Sequence, residues 1–496
     1  AAATDVLIVT STFGDGGPPD NGAGFWDRLH TPEAPPLTGI RFAVLGIGDR
    51  AYENFCGHAK SIDERLASLG AVRLIDRLDC EIYDDEPLAQ WARQVTSLVT
   101  TQEDTVAVAA PVTASPCPST AATAEPFTRN SPIAARLSRN TVLTPRSSSK
   151  EVRHFGFDIS EHGVTYSAGD ALGVCPTNSD SAVAAWLAST GLRADDIVEV
   201  DGAERTLRDA LTFAYDIGRV TPNLLSFLAD NITDTAAAKD LRDARKDLAS
   251  WAIGRNGVDA VHEFPVRATA EQWQDVLVRL TPRCYSISSS PLVSPHEIQL
   301  TVSVVRYRGT AGAERGGVCS TFLADRADDT RVPVFLQKSP HFRPPEESRI
   351  PMIMIGPGTG IAPFRGFLHE RRALGHTGRN WLFFGDQHAA QHFYYRDDLS
   401  AMTDDGFLSK LDVAFSRDQK DRVYVQHKMR DNGAELWAWL QDGAHLYVCG
   451  DASRMAKDVD TALTSIIEKH GRLSAEGAHD YKRELVASKR YLRDVY

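Results

Sequence analysis

The sequence predicts a multidomain chain of α/β and β structure. A partial parallel sheet comes first, an antiparallel β-barrel with a helical insertion second, and another parallel α/β domain last. Three observations predict this. Strand-like runs alternate with helical periodicity over residues 4–98 and again over 350–496, the pattern of parallel sheets. Between them, from Phe127, short strands dominate, interrupted by a mostly helical stretch at 180–275. At 496 residues the chain is also too long for one core.

Composition narrows the function. The chain is 42% hydrophobic and 24% charged, an ordinary globular balance, and its net charge of −12 argues against nucleic acid as a partner. No window approaches 18 consecutive apolar residues, so no membrane span is expected. The start, AAATD, has no Met and no signal-peptide pattern, as in a fragment or a processed product. The seven cysteines are scattered without a C-x-x-C, as in a reduced cytoplasmic protein with no zinc or cluster site.

In order, TDVLIVTSTFG (4–14) reads as a buried strand entering the loop GDGGPPDNG (14–22), and Phe25–Leu29 as a short amphipathic segment. Strand Ile40–Leu45 runs into GIGDRAYENFC (46–56), followed by helix His58–Leu69, strand Val72–Leu78 and helix Pro87–Leu98. Both glycine-bearing loops fall at the C-terminal strand edge, where parallel sheets bind ligands. Phe13, Tyr52 and Phe55 there suit cover for a flat ring, although ordinary loop packing uses the same residues. Thr100–Glu125, rich in Ala, Thr, Pro and Ser, reads as a flexible linker. These readings divide the chain into residues 1–98, a linker at 99–126, a middle domain at 127–345 and a last domain at 346–496.

The middle domain has strand signals at 140–145, 152–160, 166–178, 281–291 and 296–308, with GGVCSTFLAD (316–325) turning into a helix. The last opens with IPMIMIGPGTGIAPFRGF (350–367): a buried strand, then Gly356, Gly358 and Gly360, then a helix start. That arrangement presents backbone N–H groups to an anion, and glycine permits close approach of a phosphate. The spacing is not G-x-G-x-x-G, and a tight turn without a ligand has the same pattern. Further strands are expected at 381–385, 411–415 and 445–449. Ser416, Arg417, Lys420, Arg422 and Tyr424 cluster cations beside a hydroxyl and an aromatic ring, which suits a ribose 2′-phosphate and a stacked adenine. This predicts NADPH over NADH. From the residues alone, Cys449 reads as a small buried strand-end residue and Asp494 as part of a frayed tail.

RCYS (283–286), GVCS (317–320) and GPGTGIAPFR (356–365), in this order, resemble the ferredoxin–NADP reductase superfamily. STFGDGGPPDNG and LGIGDRAYENFC resemble the second and third FMN loops of diflavin reductases. The resemblance implies FAD contacts from Thr221, Arg283, Cys284, Tyr285, Ser286, Thr301, Val302, Ser303, Tyr307, Gly317, Val318, Cys319, Ser320 and Tyr496. Arg283 would pair with the pyrophosphate, Tyr285 would stack on the isoalloxazine, and Ser286 would hydrogen-bond near N5. FMN contacts are implied for Ser11, Thr12, Phe13, Gly14, Gly48, Asp49, Tyr52, Asn54, Phe55 and Cys56, and NADP contacts for Gly358, Thr359, Ser416, Arg417, Arg422, Tyr424, Gln426 and Asp458. Ser286, Cys449 and Asp494 match the trio placed around nicotinamide C4 and flavin N5, and GDALGV (169–174) is a structural hallmark. The family's first FMN loop, Thr/Ser-x-Thr-Gly-x-x-Glu, would lie upstream of Ser11, so the flavodoxin-like part reads as N-terminally truncated. TAATAE (120–125) and GTAGAE (309–314) only mimic that loop.

VVRY, NWLFFGD, SRDQK, VYVQ, GAELW, YVCGDASRMAKDV and RYLRDVY narrow the resemblance to flavoprotein (alpha) subunits of assimilatory NADPH–sulfite reductase. That family implies electron flow from NADPH to FAD to FMN, then to a sirohaem hemoprotein (beta) subunit that reduces sulfite to sulfide. It leaves room for a homo-oligomer. The alternatives are the same module serving another acceptor, such as an assimilatory nitrate reductase or a haem protein, and an FMN-less NADPH diaphorase.

Overall fold

The computed structural model of the chain describes residues 4–12, 18, 25–26, 28–31, 34–48, 55–81, 85–100, 127–129, 131–310, 312–328, 330–452 and 454–496. The linker expected at 99–126 lies outside them except for residues 99 and 100, which end a helix. The chain divides into two compact units, Ala1–Ala121 and Ala122–Tyr496.

The first unit carries a parallel sheet of β1 (Thr4–Ser11), β2 (Ile40–Gly48), β3 (Val72–Arg73) and β4 (Leu78–Glu81). β2 is central, pairing with β1 from Thr4↔Ile40 to Ser11↔Ile47 and with β3 and β4 in turn. Phe42, Val44, Ile62 and Leu66 form a core on one side, Ala43, Leu45, Trp91 and Val95 on the other. Alternate β2 side chains thus face opposite layers, with helices Gly57–Ser68 and Asp85–Thr100 supplying the cover. Three expectations need correction. β1, expected as a buried strand, packs Val6 and Ile8 on the core but leaves Leu7 and Val9 48% and 57% exposed, because it is the end strand of the described sheet. The strand expected at Val72–Leu78 is two short strands, because Arg73 and Arg77 both turn to the Asp63 carboxylate, at 2.7 and 3.5 Å, and Arg77 also pairs with Asp79. β2 also continues through Gly48, past the expected end at Leu45, because its ladder with β4 runs from Leu45↔Leu78 to Gly48↔Glu81.

In the second unit the barrel strands are β5 (Ile133–Val142), β6 (Glu151–Asp158) and β7 (Ala171–Val174). A hairpin of β8 (Ile197–Val200) and β9 (Ala203–Thr206) sits in the insertion. Then come β10 (Arg283–Ser286), β11 (Glu297–Val304), β12 (Arg306–Arg308), β13 (Glu314–Gly316) and β14 (Arg331–Gln337). The antiparallel sheet runs β10-β7-β14-β5-β6-β11. Its two end strands meet at an Ile287↔Leu300 bridge, with Ser288 N donating to Gln299 O at 2.7 Å, so the sheet curls back on itself. Phe155, Phe157, Leu172, Val174, Leu300, Val302, Val332 and Val334 fill the interior.

β5 begins earlier than expected, because Ile133 and Ala135 point inward while their neighbours face out. β7 is shorter than expected because the chain turns at Gly169, φ +95°, where a Cβ would lie 1.9 Å from Phe342 O. The strand expected across 296–308 breaks at Val305, whose carbonyl accepts from Gly317 N. Between β7 and β10 the helical insertion builds its own core around Trp186, Leu211, Leu225 and Trp273, with the two indoles in edge contact at 5.1 Å.

The last sheet is wholly parallel: β15 (Met352–Ile355), β16 (Asn380–Asp386), β17 (Lys410–Phe415), β18 (His445–Gly450) and β19 (Tyr491–Val495), in the order β17-β16-β15-β18-β19. β15 is buried along its whole length, as its continuous apolar run requires of a sheet covered on both faces. The strand order reverses at β15, and ligands of such sheets bind beyond the carboxyl ends at that reversal. The tail reading of Asp494 is overturned: Asp494 lies within β19, which pairs with β18 from Leu446↔Tyr491 to Gly450↔Val495.

Candidate flavin and nucleotide site

Five strand ends converge beyond the carboxyl edge of the last sheet. After β15 the chain turns through Gly358–Gly360 into the helix Ile361–Ala373. Gly358, φ +60°, leaves room above it, its nearest neighbour being Asp386 Oδ2 at 3.7 Å from where a Cβ would lie. Gly360 leaves no room, since a Cβ there would sit 2.2 Å from Cys449 O. One glycine therefore leaves room for a ligand and the other lets the loop lie on β18. No side chain caps that helix, so its first N–H groups remain for an anion.

Ser416 and Arg417 follow β17, Tyr424 and Gln426 open the helix Val425–Asp431, and Asp458 lies in the first turn of the helix Met455–Gly471. All five stand on the same sheet edge. Gln426 donates to Asp458 at 3.0 Å, and Ser416 is buried with its hydroxyl on Asp386 O at 3.2 Å. Arg417 and Arg422 are exposed, and the Tyr424 ring is open on the surface. Exposed cations beside an exposed ring fit a phosphorylated ribose and an adenine.

Barrel and sheet meet at Ser286. Its hydroxyl donates to Asp494 Oδ2 at 2.6 Å, and the thiol of Cys449, the register partner of Asp494, points at the same oxygen from 3.8 Å. The three residues expected as a trio are thus in contact. Burial raises both the Cys449 thiol and the Asp494 carboxyl, and the Ser286 and Cys449 donors pull Asp494 part of the way back. Beside them Tyr496, 63% exposed, sets its hydroxyl 3.1 Å from Thr359 Oγ1 on the glycine loop.

On the barrel, Arg283 bonds Thr281 and reaches Asp216 at 3.3 Å, with its guanidinium partly exposed. Tyr285 lies partly buried against the barrel core, and Cys319, buried in the same core, is pushed up to about 12 by desolvation. Gly317 opens the helix Val318–Asp325 without a side-chain cap, and a Cβ there would meet Ser320 Oγ at 2.8 Å and Val305 at 3.2 Å. An uncapped helix start with a bare glycine beside a half-exposed arginine fits a pyrophosphate. Tyr307 pairs with Arg315 across β12 and β13, and Arg315 is fixed by the buried Asp259 at 2.6 Å. Cys284 is exposed, and Val318 is partly buried in the first turn of that helix. Ser303 faces out of β11, whereas the Val302 side chain lies in the barrel interior. Thr301 Oγ1 is shared with Tyr395 OH at 2.6 Å. Thr221 caps the helix Pro222–Asn231, its side chain accepting from Leu224 N.

In the first unit, Thr12 Oγ1 accepts from His58 N at 3.3 Å, joining the end of β1 to the start of the helix Gly57–Ser68. A Cβ on Gly48 would lie 2.8 Å from Cys56 N, so only glycine lets the 55–56 turn close there. Cys56, φ +53°, precedes the helix Gly57–Ser68, with Phe55 beside it and Ser11 exposed. These residues fit the rim of a flavin site. Phe13, Gly14, Asp49, Tyr52 and Asn54 lie outside the described residues.

Sequence reasoning missed Lys150 and Asp386. A cavity of about 330 Å³ is lined by Lys150, Ser303, Gly358, Thr359, Asp386 and Tyr496, among others. Lys150 comes from the turn before β6 and pairs with Asp386 at 2.6 Å. No motif marks a single lysine in a serine-rich turn. Only the fold brings it across to the glycine loop.

Three family models match: the flavodoxin family over residues 1–92, the FAD binding domain over 125–322 and the oxidoreductase NAD-binding domain over 354–461. Together with the paired sheets and the Ser286–Asp494 junction, they define a diflavin reductase: an NADPH-dependent oxidoreductase that uses FAD and FMN. The chain is 42% identical over 495 residues to the sulfite reductase (NADPH) flavoprotein alpha-component of Mannheimia succiniciproducens, covering 99% of this chain and 82% of that one. It is 41% identical over 498 residues to that of Vibrio cholerae, covering 100% and 80%, and 40% identical over 497 residues to that of Klebsiella pneumoniae, covering 100% and 82%. The chain belongs to the family of sulfite reductase (NADPH) flavoprotein alpha-components. Among the described residues, no helix is long and apolar enough to cross a membrane, and no group of three metal-ligating side chains is found.

Proposed function

We propose that this chain is the NADPH-oxidising component of a sulfite reductase and delivers electrons to a hemoprotein partner that reduces sulfite to sulfide. Bound FAD supplies a two-electron acceptor and bound FMN a one-electron donor, the conversion that NADPH needs to serve a haem and cluster partner. The observation that carries this reading is the contact of Ser286 with Asp494 and Cys449 beside Tyr496 and Thr359.

Each group has a distinct task. Arg417 and Arg422 hold the 2′-phosphate, Tyr424 stacks on adenine, and Lys150 with the Gly358–Gly360 amides receives the pyrophosphate. Arg283 and the amides after Gly317 hold the FAD pyrophosphate, with Tyr307 at the adenine. Tyr496 covers the ring face that the nicotinamide must reach, so it has to move during turnover. The Ser286 hydroxyl, oriented by Asp494, fixes the ring edge where hydride arrives. Residues 1–98, 127–345 and 346–496 are the functional domains.

The test is flavin content by acid release and chromatography, followed by NADPH-dependent sulfide formation with a sulfite reductase hemoprotein added. About one FAD and one FMN per chain, with sulfide formed only when the hemoprotein is present, is the expected result. NADPH oxidation that never reaches the hemoprotein overturns the proposal.

A further inference from the structure

The Lys150–Asp386 pair puts a negative charge where a phosphate is expected. Asp386 ends β16, and its side chain is only 2% exposed. Its carboxylate is heavily committed: Lys150 Nζ at 2.6 Å, Tyr394 OH at 2.9 Å and Gln387 N at 2.7 Å, with His392 Nδ1 at 3.9 Å. Its other face borders the loop, since a Cβ built on Gly358 would lie 3.7 Å from Asp386 Oδ2. Both charges open onto the same cavity as Gly358, Thr359 and Tyr496.

We propose that Asp386 is an internal competitor of the NADPH pyrophosphate: it holds Lys150 when the nucleotide is absent and must yield that ammonium when the pyrophosphate settles on the glycine loop. This rests on the assignment of the pyrophosphate to that loop. The two charges have opposite effects on the same ligand. Lys150 attracts the pyrophosphate, while Asp386, its side chain only 2% exposed, both occupies Lys150 and repels the incoming anion. Release is then built into binding, because the carboxylate stands ready to reclaim the lysine as oxidised nucleotide leaves. A plain interdomain tie differs in one respect: removing either partner of a tie harms binding in the same direction.

The experiment is titration calorimetry on the full FAD-loaded chain, with NADP+ and adenosine 2′-phosphate as probes. The second probe carries the 2′-phosphate and adenine but no pyrophosphate. Lys150→Met should weaken NADP+ about tenfold, Asp386→Asn should tighten it about tenfold, and the double variant should return close to wild type, while adenosine 2′-phosphate stays unchanged throughout. If Asp386→Asn fails to yield FAD-loaded protein, Tyr394→Phe serves instead. It frees the carboxylate of one hydrogen bond, strengthens its hold on Lys150, and should weaken NADP+ about twofold. Asp386→Asn that weakens NADP+ or leaves it unchanged while Lys150→Met weakens it overturns the competitor role alone. Lys150→Met that leaves NADP+ unchanged overturns the pyrophosphate assignment itself.

Discussion

Asp494 and Ser286 tie the middle domain to the last sheet at the proposed hydride site: the Ser286 hydroxyl from the end of β10 donates at 2.6 Å to a carboxylate in β19. Cys449 points at the same oxygen. A single carboxyl therefore orients the group nearest the proposed hydride path.

Asp494 makes turnover pH-dependent. Burial holds its carboxyl above the usual range, near 4 for an unfolded chain. The stability this adds is present below the unfolded value and is lost as pH rises through the folded one, where the ionised form becomes the acceptor for Ser286. NADPH oxidation should rise with pH along a limb above the ordinary carboxylate range. Asp494→Asn should abolish that limb and lower kcat roughly 10²-fold. Steady-state rates from pH 4 to 8 decide this, and a limb that survives in the variant assigns it to another group.

Tyr496→Ala should raise the ratio of NADH to NADPH activity about tenfold, because the nicotinamide no longer has to displace a ring worth up to about 1.5 kcal/mol of stacking. The check is kcat/KM for both nucleotides. An unchanged ratio means Tyr496 does not cover the reacting ring.

Arg417→Ala removes an exposed cation after β17. It should weaken NADPH by about 1.5–3 kcal/mol, the range for a charged hydrogen bond, with little effect on NADH. KM for both nucleotides separates the outcomes, and equal losses rule out the 2′-phosphate assignment.

Three histidines make the fold acid-sensitive. His154, His369 and His445 are each lowered to about 4, chiefly by burial. Lowered values contribute stability that is present above the unfolded value, near 6.5, and is lost as pH falls through about 4. Each contributes at most about 3 kcal/mol. Thermal melts at pH 7.0, 5.5 and 4.5 should fall steeply, and less steeply for His154→Gln. Parallel curves for the two proteins count against His154.

Gly360→Ala should destabilise the last sheet by about 1–3 kcal/mol, because the new methyl group meets the Cys449 carbonyl at 2.2 Å. A lowered Tm together with lost NADPH binding is expected. An unchanged Tm would mean the loop relaxes freely.

Much of this was legible in the sequence where one physical demand leaves one pattern. The buried run Met352–Ile355 followed by glycines marks a sheet-edge anion loop, and Trp186 and Trp273 fall within a helix-periodic stretch that builds its own core. Contacts between distant segments left no such trace. Arg365 illustrates this: it lies 4.7 Å over the Tyr395 ring and bonds Ser288 O and Gln299 Oε1. Each of those residues is ordinary in its own segment. The strand that carries Asp494 is illegible for the same reason, since a five-residue strand at the end of a chain carries little periodicity until β18 is there to pair with it.

The helical insertion predicts an order of assembly. β7 and β10 are neighbours, with Arg283 opposite Val174, yet the whole of residues 175–282 separates them in sequence. Closing so long a loop costs entropy before any barrel contact is made, but the insertion has its own Trp186–Trp273 core and can condense first, bringing its two ends together. Barrel closure, and with it the pairing that positions Arg283 and Ser286, is then expected late in folding. Destabilising the insertion would show up as slow maturation and trapped, flavin-free intermediates, even for substitutions that touch no cofactor.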